Sequence, residues 1–303
     1  MTLLRLVKRN MLLYVRDKSC VFFSFLSTII IILLMAVFLG NVNTGYVVKL
    51  LSEYGGVRDA AADKANAEQL ILLWTLAGII AVNAMSITLT MVGFMVKDED
   101  DRRLSSFYVA PVNRGIFVMG YVLAALIMGI IVCLFTLIAG EIYVFLKGGS
   151  FLTASQVLQA FLYILVNVFM SASLVFFIIN FVHSVSAFSG LSTVIGTLSG
   201  FLAAIYLPMG SLSDKLQTVL KCFPLLYGSS LLREVLTKNI LEETFYNCPD
   251  LLKKEYMDYM GITVNVGNHM VDTCLKVAFM LISGIILIII SSFIQRKRIT
   301  VIR

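Results

Sequence analysis

Lys97-Asp98-Glu99-Asp100-Asp101-Arg102-Arg103 is the densest run of charge in the chain, and long apolar runs flank it on both sides. A charge at the centre of a bilayer costs roughly 2.5–3.5 kcal/mol on insertion scales. A cluster of ions therefore cannot sit in hydrocarbon. The stretch, together with 104–114 behind it, reads as a water-facing loop between two membrane-spanning helices.

The composition agrees. Of 303 residues, 59% are hydrophobic and 14% charged, whereas soluble domains carry about 25% charged residues. So few charges cannot cover an aqueous surface, and the class is polytopic membrane protein. The net charge of +6 fits lysines and arginines gathered in cytosolic loops. It does not point to nucleic acid, because no basic stripe is interleaved with aromatics. The cysteines Cys20, Cys133, Cys222, Cys248 and Cys274 form no CxxC pair, so zinc and redox motifs are absent. Cys222 and Cys248 both fall outside the apolar runs, where a disulfide or two unrelated thiols would fit.

Upstream of the charged stretch, 69–96 is the second span, with Thr75, Asn83, Ser86 and Thr90 forming a modest polar stripe. Before it come a polar loop, 41–68, and the first span, 20–40, whose length of about twenty residues matches the hydrocarbon core. In residues 1–19, Leu4, Val7, Met11, Tyr14 and Val15 follow helical spacing among Arg5, Lys8, Arg9, Arg16 and Lys18. This predicts an amphipathic helix lying in the interface. A signal peptide has a shorter basic start and a shorter apolar core, so cleavage is not expected.

Downstream, 116–145 is the third span. Its small residues Ala125, Gly129, Cys133, Thr136 and Gly140 share a face suited to close helix packing, and Glu141 reads as snorkelling at the outer surface. A Gly-containing turn, 147–155, leads into the fourth span, 156–181, with Asn167 and Ser171 on one face. His183 and Ser184 mark a tight turn, where a lone histidine makes no metal site. The fifth span, 185–207, is rich in Gly, Ser and Thr and ends at Pro208. The stretch 209–272 does not span. Its first part, 216–236, is amphipathic and interrupted at Pro224, as two short helices dipping into or lying on the outer leaflet. Its second part, 239–270, is polar and reads as a small exposed loop or cap. The sixth span is 273–293, and Arg296, Lys297, Arg298 and Arg303 close the chain.

The expected fold is an all-α membrane protein with six transmembrane helices, an N-terminal amphipathic interfacial helix (1–19), a helix-bearing cytosolic loop between spans two and three (97–112), and re-entrant or surface helices before span six. It forms a single transmembrane domain over 1–303. The Lys/Arg bias places both termini and the charged loop in the cytosol, with 209–272 extracellular. No internal repeat supports an inverted-repeat carrier. Within the loop, residues 98–110 have the makings of a short helix. Acids at its start would suit the macrodipole, Pro111 would end it, and Ser105, Phe107, Tyr108 and Val109 would face a partner. The residues alone fit a solvated turn equally well.

The run Glu99-Asp100-Asp101-Arg102-Arg103-Leu104-Ser105-Ser106-Phe107-Tyr108-Val109-Ala110-Pro111-Val112-Asn113-Arg114, then Gly120, resembles the first cytosolic loop of the ATP-binding-cassette (ABC) type-2 exporter permeases, in their drug and peptide export group. Residues 200–208, then Phe223-Pro224-Leu225-Leu226-Tyr227 and Arg233, look like that family's fifth span and broken outer helices. The order of elements is similar over nearly the whole chain. The segment 239–270 is longer than the simplest members need.

The resemblance implies two paired permease subunits, identical or similar, each docked on a cytosolic ABC ATPase through the amphipathic start and the charged loop. Glu99, Asp100, Asp101, Arg102, Arg103, Phe107 and Pro111 become candidates for motor coupling. Asn83, Ser86, Thr90, Ser189, Thr193 and Thr197 become candidates for lining a pathway along the seam, although each also fits an ordinary interhelical hydrogen bond. No G-x-x-x-x-G-K-[ST] loop occurs, so the phosphate cradle must belong to the partner, which binds ATP and Mg. No cofactor or metal is expected on this chain. The expected function is ATP-driven export of a hydrophobic or amphipathic cargo, such as a drug, a lipid-like molecule or a small peptide, across the inner plasma membrane of a bacterium. An ATP-independent channel or carrier is the alternative, disfavoured because the spans look nearly free of charge. An intramembrane enzyme lacks HExxH, GxSxG or any acid-rich motif inside a span.

Overall fold

The computed structural model of the chain describes residues 2–34, 40–56, 58–101, 114–182, 184–267 and 269–301. Among them are twelve α-helices. These are α1 (Thr2–Arg16), α2 (Lys18–Leu34), α3 (Gly40–Tyr54), α4 (Ala60–Asp100), α5 (Arg114–Leu146), α6 (Ala154–Ile179), α7 (Val185–Leu202), α8 (Asp214–Lys221), α9 (Pro224–Leu236), α10 (Lys238–Thr244), α11 (Asp250–Tyr259) and α12 (Thr273–Val301). A two-stranded hairpin, β1 (Asn265–Val266) with β2 (His269–Met270), precedes α12.

Five of these helices, α4, α5, α6, α7 and α12, are long and apolar enough to cross a membrane. The first span expected from the sequence begins as α2 and continues into residues 35–39, which lie outside the described residues. Local signals start the others. Asp59 accepts the amide of Ala61 at 2.9 Å at the head of α4. Thr153 and Gln156 form a capping box before α6. Ser184 caps α7, and Pro224 sits in the first turn of α9, where its missing N–H removes nothing.

The helix α4 is the central beam. Its apolar residues are buried almost end to end against α5, α6, α7 and α9. The small face of α5 lets the two approach. Cys133 donates to the carbonyl of Ile80 at 3.5 Å, and a side chain at Gly140 would collide with Leu76.

The structure departs from the sequence reading at five places. The polar loop 41–68 is largely helical, because its apolar residues Val47 and Leu51 are buried in the same core as Ala67 and Leu70. Residues 98–100, expected to open a loop helix, form the last turn of α4; the rest of that expected helix, 102–110, lies outside the described residues. The fifth span stops at Leu202, five residues short of the expected end. There Ala204 takes φ +49°, and its amide and that of Ile205 bond back to Phe201 and Gly200, the double bond pattern of a left-handed helix stop. Of the two readings of 239–270, loop or cap, the structure has the cap, but folded rather than wholly exposed, with Tyr256, Met260 and Ile262 buried. Finally, the last span is not free of charge, since Lys276 is fully buried.

The helix α9 joins the cap to the spans. Arg233 is fully buried. It donates to the carbonyls of Ala203 (3.0 Å), Ala204 (2.9 Å) and Gly261 (3.3 Å), and lies 4.3 Å from the Trp74 ring. Burial lowers its pKa to about 9, still cationic at neutral pH. Trp74 in turn donates to the carbonyl of Met260 at 2.7 Å. Ser230 reaches the carbonyl of Ile262 at 2.6 Å. Lys276 donates to Ser230 at 2.8 Å and pairs with Glu234. Asn167 of α6 donates to the carbonyl of Gly228 at 3.2 Å. A methyl group at Gly228 would lie 1.9 Å from the Asn167 oxygen, so only glycine lets the two backbones approach this closely.

Arg233→Met keeps bulk but strands three carbonyls, each worth about 1–3 kcal/mol when left unpaired. The expected result is a loss of about 3 kcal/mol or more, read as a fall in thermal midpoint followed by Trp74 fluorescence in detergent. Gly228→Ala should cost about 1–3 kcal/mol in the same assay by overpacking.

Candidate coupling and pathway sites

The acidic end of α4 is gripped from two sides. Asp98 is only 4% exposed at its side chain and receives Arg9 of α1 at 2.7 Å. Tyr121 of α5 donates to the same oxygen at 2.6 Å, and Arg9 also donates to the Tyr121 hydroxyl at 3.2 Å. Two acceptors from two different spans thus hold one cation of the amphipathic helix. Burial lowers the Arg9 pKa, but its hydrogen bonds to Asp98 and Tyr121 outweigh that and leave it raised. Helix α1 lies against α5 closely enough that a methyl group at Gly120 would sit 3.0 Å from Leu6.

Glu99, Asp100 and Asp101 follow on the exposed side of this helix end. Acids at a helix C-terminus oppose the macrodipole. Arg9 offsets that for Asp98, whereas Glu99 and Asp100 are left at the surface as a negative edge. Arg102, Arg103, Phe107 and Pro111 lie outside the described residues, as does His183.

The pathway candidates fall on two separate surfaces. Asn83 is buried and donates to Thr136 of α5 at 3.0 Å, inside the subunit. Ser86 and Thr90 are half-buried, the Thr90 hydroxyl bonding to the Ser86 carbonyl at 2.9 Å. Ser189, Thr193 and Thr197 are exposed on α7, each hydroxyl bonded to the carbonyl four residues back at 3.0, 3.1 and 2.9 Å. The α7 stripe therefore presents apolar carbon and already satisfied hydroxyls, beside exposed Val194, Leu198 and Phe201. The structure does not bring Asn83 onto this face. Glu141 does not simply snorkel: it accepts the amide of Leu152 at 3.0 Å, pinning the turn after α5. Asn167 works as a hydrogen-bonding seat for α9, as described above.

Sequence reading missed two anchors. Arg58 pairs with Asp63 at 2.8 Å and donates to the carbonyls of Thr244 and Tyr246, tying the cap to the start of α4. Lys276 with Glu234 is the other. Lys276 is a lone charge in an apolar run, the signal that would have marked it; Arg58, beside Asp59 in a polar stretch, carried no such signal. The cysteines are all free thiols; Cys222 is exposed, whereas Cys248 lies half-buried near Arg58.

A family model described as ABC-2 family transporter protein matches residues 60–293, which runs from α4 through most of α12. No curated protein matches the chain.

Arg9→Ala and Asp98→Ala, singly and together, should show a coupling of about 1–2 kcal/mol, within the range for partners in one network. Hydrogen–deuterium exchange of residues 2–16 should rise in either single variant and no further in the double.

Proposed function

The chain belongs to the ABC-2 family of transporter proteins, and from that premise we propose that it is the permease subunit of an ATP-driven exporter. A separate cytosolic ABC ATPase binds the ATP and Mg and supplies the force. A second permease, identical or similar, completes the pathway. The cargo is hydrophobic or amphipathic: a drug, a lipid-like molecule or a small peptide. The chain crosses the plasma membrane six times as a single domain, with both termini cytosolic and 209–272 outside. The sixth crossing is supported by packing, because α1 lies against the end of α4 that carries Asp98 and α3 shares a core with the opposite end. Helix α2 and residues 35–39 connect the two.

The observation that carries the reading is the Asp98 grip. Force applied to α1, or to the acidic edge at Glu99, Asp100 and Asp101, enters a charge cluster shared by three helices and passes into α4, which packs on every other described span except α12. An edge of exposed acids suits basic side chains on a partner, and such charges fix orientation more than they add affinity. Arg102, Arg103, Phe107 and Pro111 would extend the docking surface. The exposed α7 stripe is the natural seam for the second permease and, with Ser86 and Thr90 behind it, for a greasy route outward. A hydrophobic cargo fits hydroxyls that are already satisfied.

Glu99→Lys with Asp100→Lys should leave the fold intact, since both are exposed. Cargo-stimulated ATP hydrolysis by the complex in liposomes should fall at least about tenfold, as like charges across an interface cost several kcal/mol. An unchanged rate would remove the coupling role. Export from liposomes lacking any ATPase would instead favour the channel or carrier. Thr193→Cys, in a cysteine-depleted background, should cross-link two permeases in the membrane. Failure there with success at Asn83→Cys would move the seam.

A further inference from the structure

A cavity of about 540 Å³ lies between α3, α4 and α5 at the end of the spans next to the cap. It is separate from both the Asp98 grip and the α7 stripe. Its volume is in the range of small-molecule sites. Its inner part is walled by Ile71, Leu76 and Ile79, all buried. The one hydroxyl there, on Thr75, is already bonded to the carbonyl of Ile71 at 2.8 Å. The inner wall is thus apolar, while Thr44, Asn66, Gln69 and Tyr143 add polar groups around it. The cavity is partly open and is lined by two span-length helices, so on the membrane-spanning reading lipid would have access to it.

The rim is different in kind. Glu68, on α4, and Lys147, in the turn after α5, are both exposed and line it. Neither forms an ion pair among the described residues. The Lys147 ammonium sits 6.0 Å over the Tyr143 ring, the arrangement by which a lysine keeps its stem in apolar surroundings and its charge at the interface. Two opposite charges at the rim above an apolar inner wall suit a zwitterionic headgroup with an acyl chain beneath it. The carboxylate of Glu68 accepts hydrogen bonds, so a primary ammonium with N–H donors suits it better than a quaternary one.

We propose that this cavity is a binding site for one phospholipid of the outer leaflet bearing a phosphoethanolamine headgroup. Its phosphate lies against Lys147, its primary amine against Glu68, and one acyl chain enters between α4 and α5. The site rests on the chain being membrane-spanning, and its assignment to the outer leaflet on the proposed orientation with cytosolic termini; it does not depend on which cargo is exported. The lipid wedges α3 against the two spans, on the side of α4 opposite its contacts with α9.

The test uses the purified full chain, delipidated and then mixed with micelles holding equal amounts of phosphatidylethanolamine, phosphatidylcholine and phosphatidylglycerol, with bound lipid counted by native mass spectrometry. Wild type should retain phosphatidylethanolamine in preference to the other two. Ala139→Trp fills the cavity from an exposed position of α5, and should lower that retention about tenfold, equivalent to 1.4 kcal/mol. Glu68→Gln should erase the preference for phosphatidylethanolamine over phosphatidylglycerol, and Lys147→Ala should weaken both. These last two changes are at exposed positions and keep the test open if the tryptophan variant misfolds. Equal retention of the three headgroups by wild type, or undiminished retention in Ala139→Trp, would overturn the proposal. So would a tryptophan variant that stops export while still holding the lipid, which would make the cavity part of the cargo route. No ATPase enters the lipid measurement, so its failure and a failure of the coupling reading are separable.

Discussion

Arg233 places a guanidinium where no water reaches it and meets it with backbone carbonyls from the end of α7 and from the turn after α11. A cation so buried requires acceptors, because an unsatisfied buried charge is costly; these carbonyls take both terminal nitrogens, while Nε has no hydrogen-bond partner among the described residues and the Trp74 face covers the group. That single requirement fixes three things at once. It sets where α7 must stop, since the carbonyls of Ala203 and Ala204 have to be freed from the helix ladder. It holds the cap over the spans through Gly261. It also seats α9 against Trp74, so that Ser230, Glu234 and Lys276 meet.

The same beam carries a second charge cluster at its far end. There Asp98 collects Arg9 and Tyr121. Between the two clusters α4 is packed with Ala, Gly, Leu and Ile and has little room to deform. A displacement at one end is therefore delivered to the other as movement of the helix rather than absorbed as bending. This gives a physical basis for the proposed coupling to a separate ATPase. It also explains why polar side chains inside the core are used as joints: Asn83 to Thr136, Asn167 to Gly228, Cys133 to Ile80. Each is a short bond between two helices, in a medium with no competing water.

Much of this was legible from residues. The apolar runs gave the span-length helices, the amphipathic start gave α1, Pro224 marked the break before α9, and the small residues of α5 marked the face that meets α4. What misled was polarity read as looseness. Residues 41–68 and 239–270 look like loops because their charges face water, but Val47, Leu51, Tyr256 and Met260 on the other side are buried in the core. The acids 98–100 look like the start of a helix because charge ends a hydrophobic run, whereas a helix ends only when its backbone does. Of the pathway residues, the α7 hydroxyls share a face as their spacing requires, but which neighbour covers that face is not encoded in spacing.

The sequence by itself determined the class of the protein, the positions of the five described span-length helices, and the polar stretch that cannot enter hydrocarbon. These follow from transfer energies and helical period, which are local. Only the tertiary structure decided that Arg9 and Asp98, Arg233 and the end of α7, and Lys276 and Glu234 are partners. Each pair joins residues about 29 to 89 positions apart, and a lone charge in a sequence carries its need for a counterpart but not the counterpart's position.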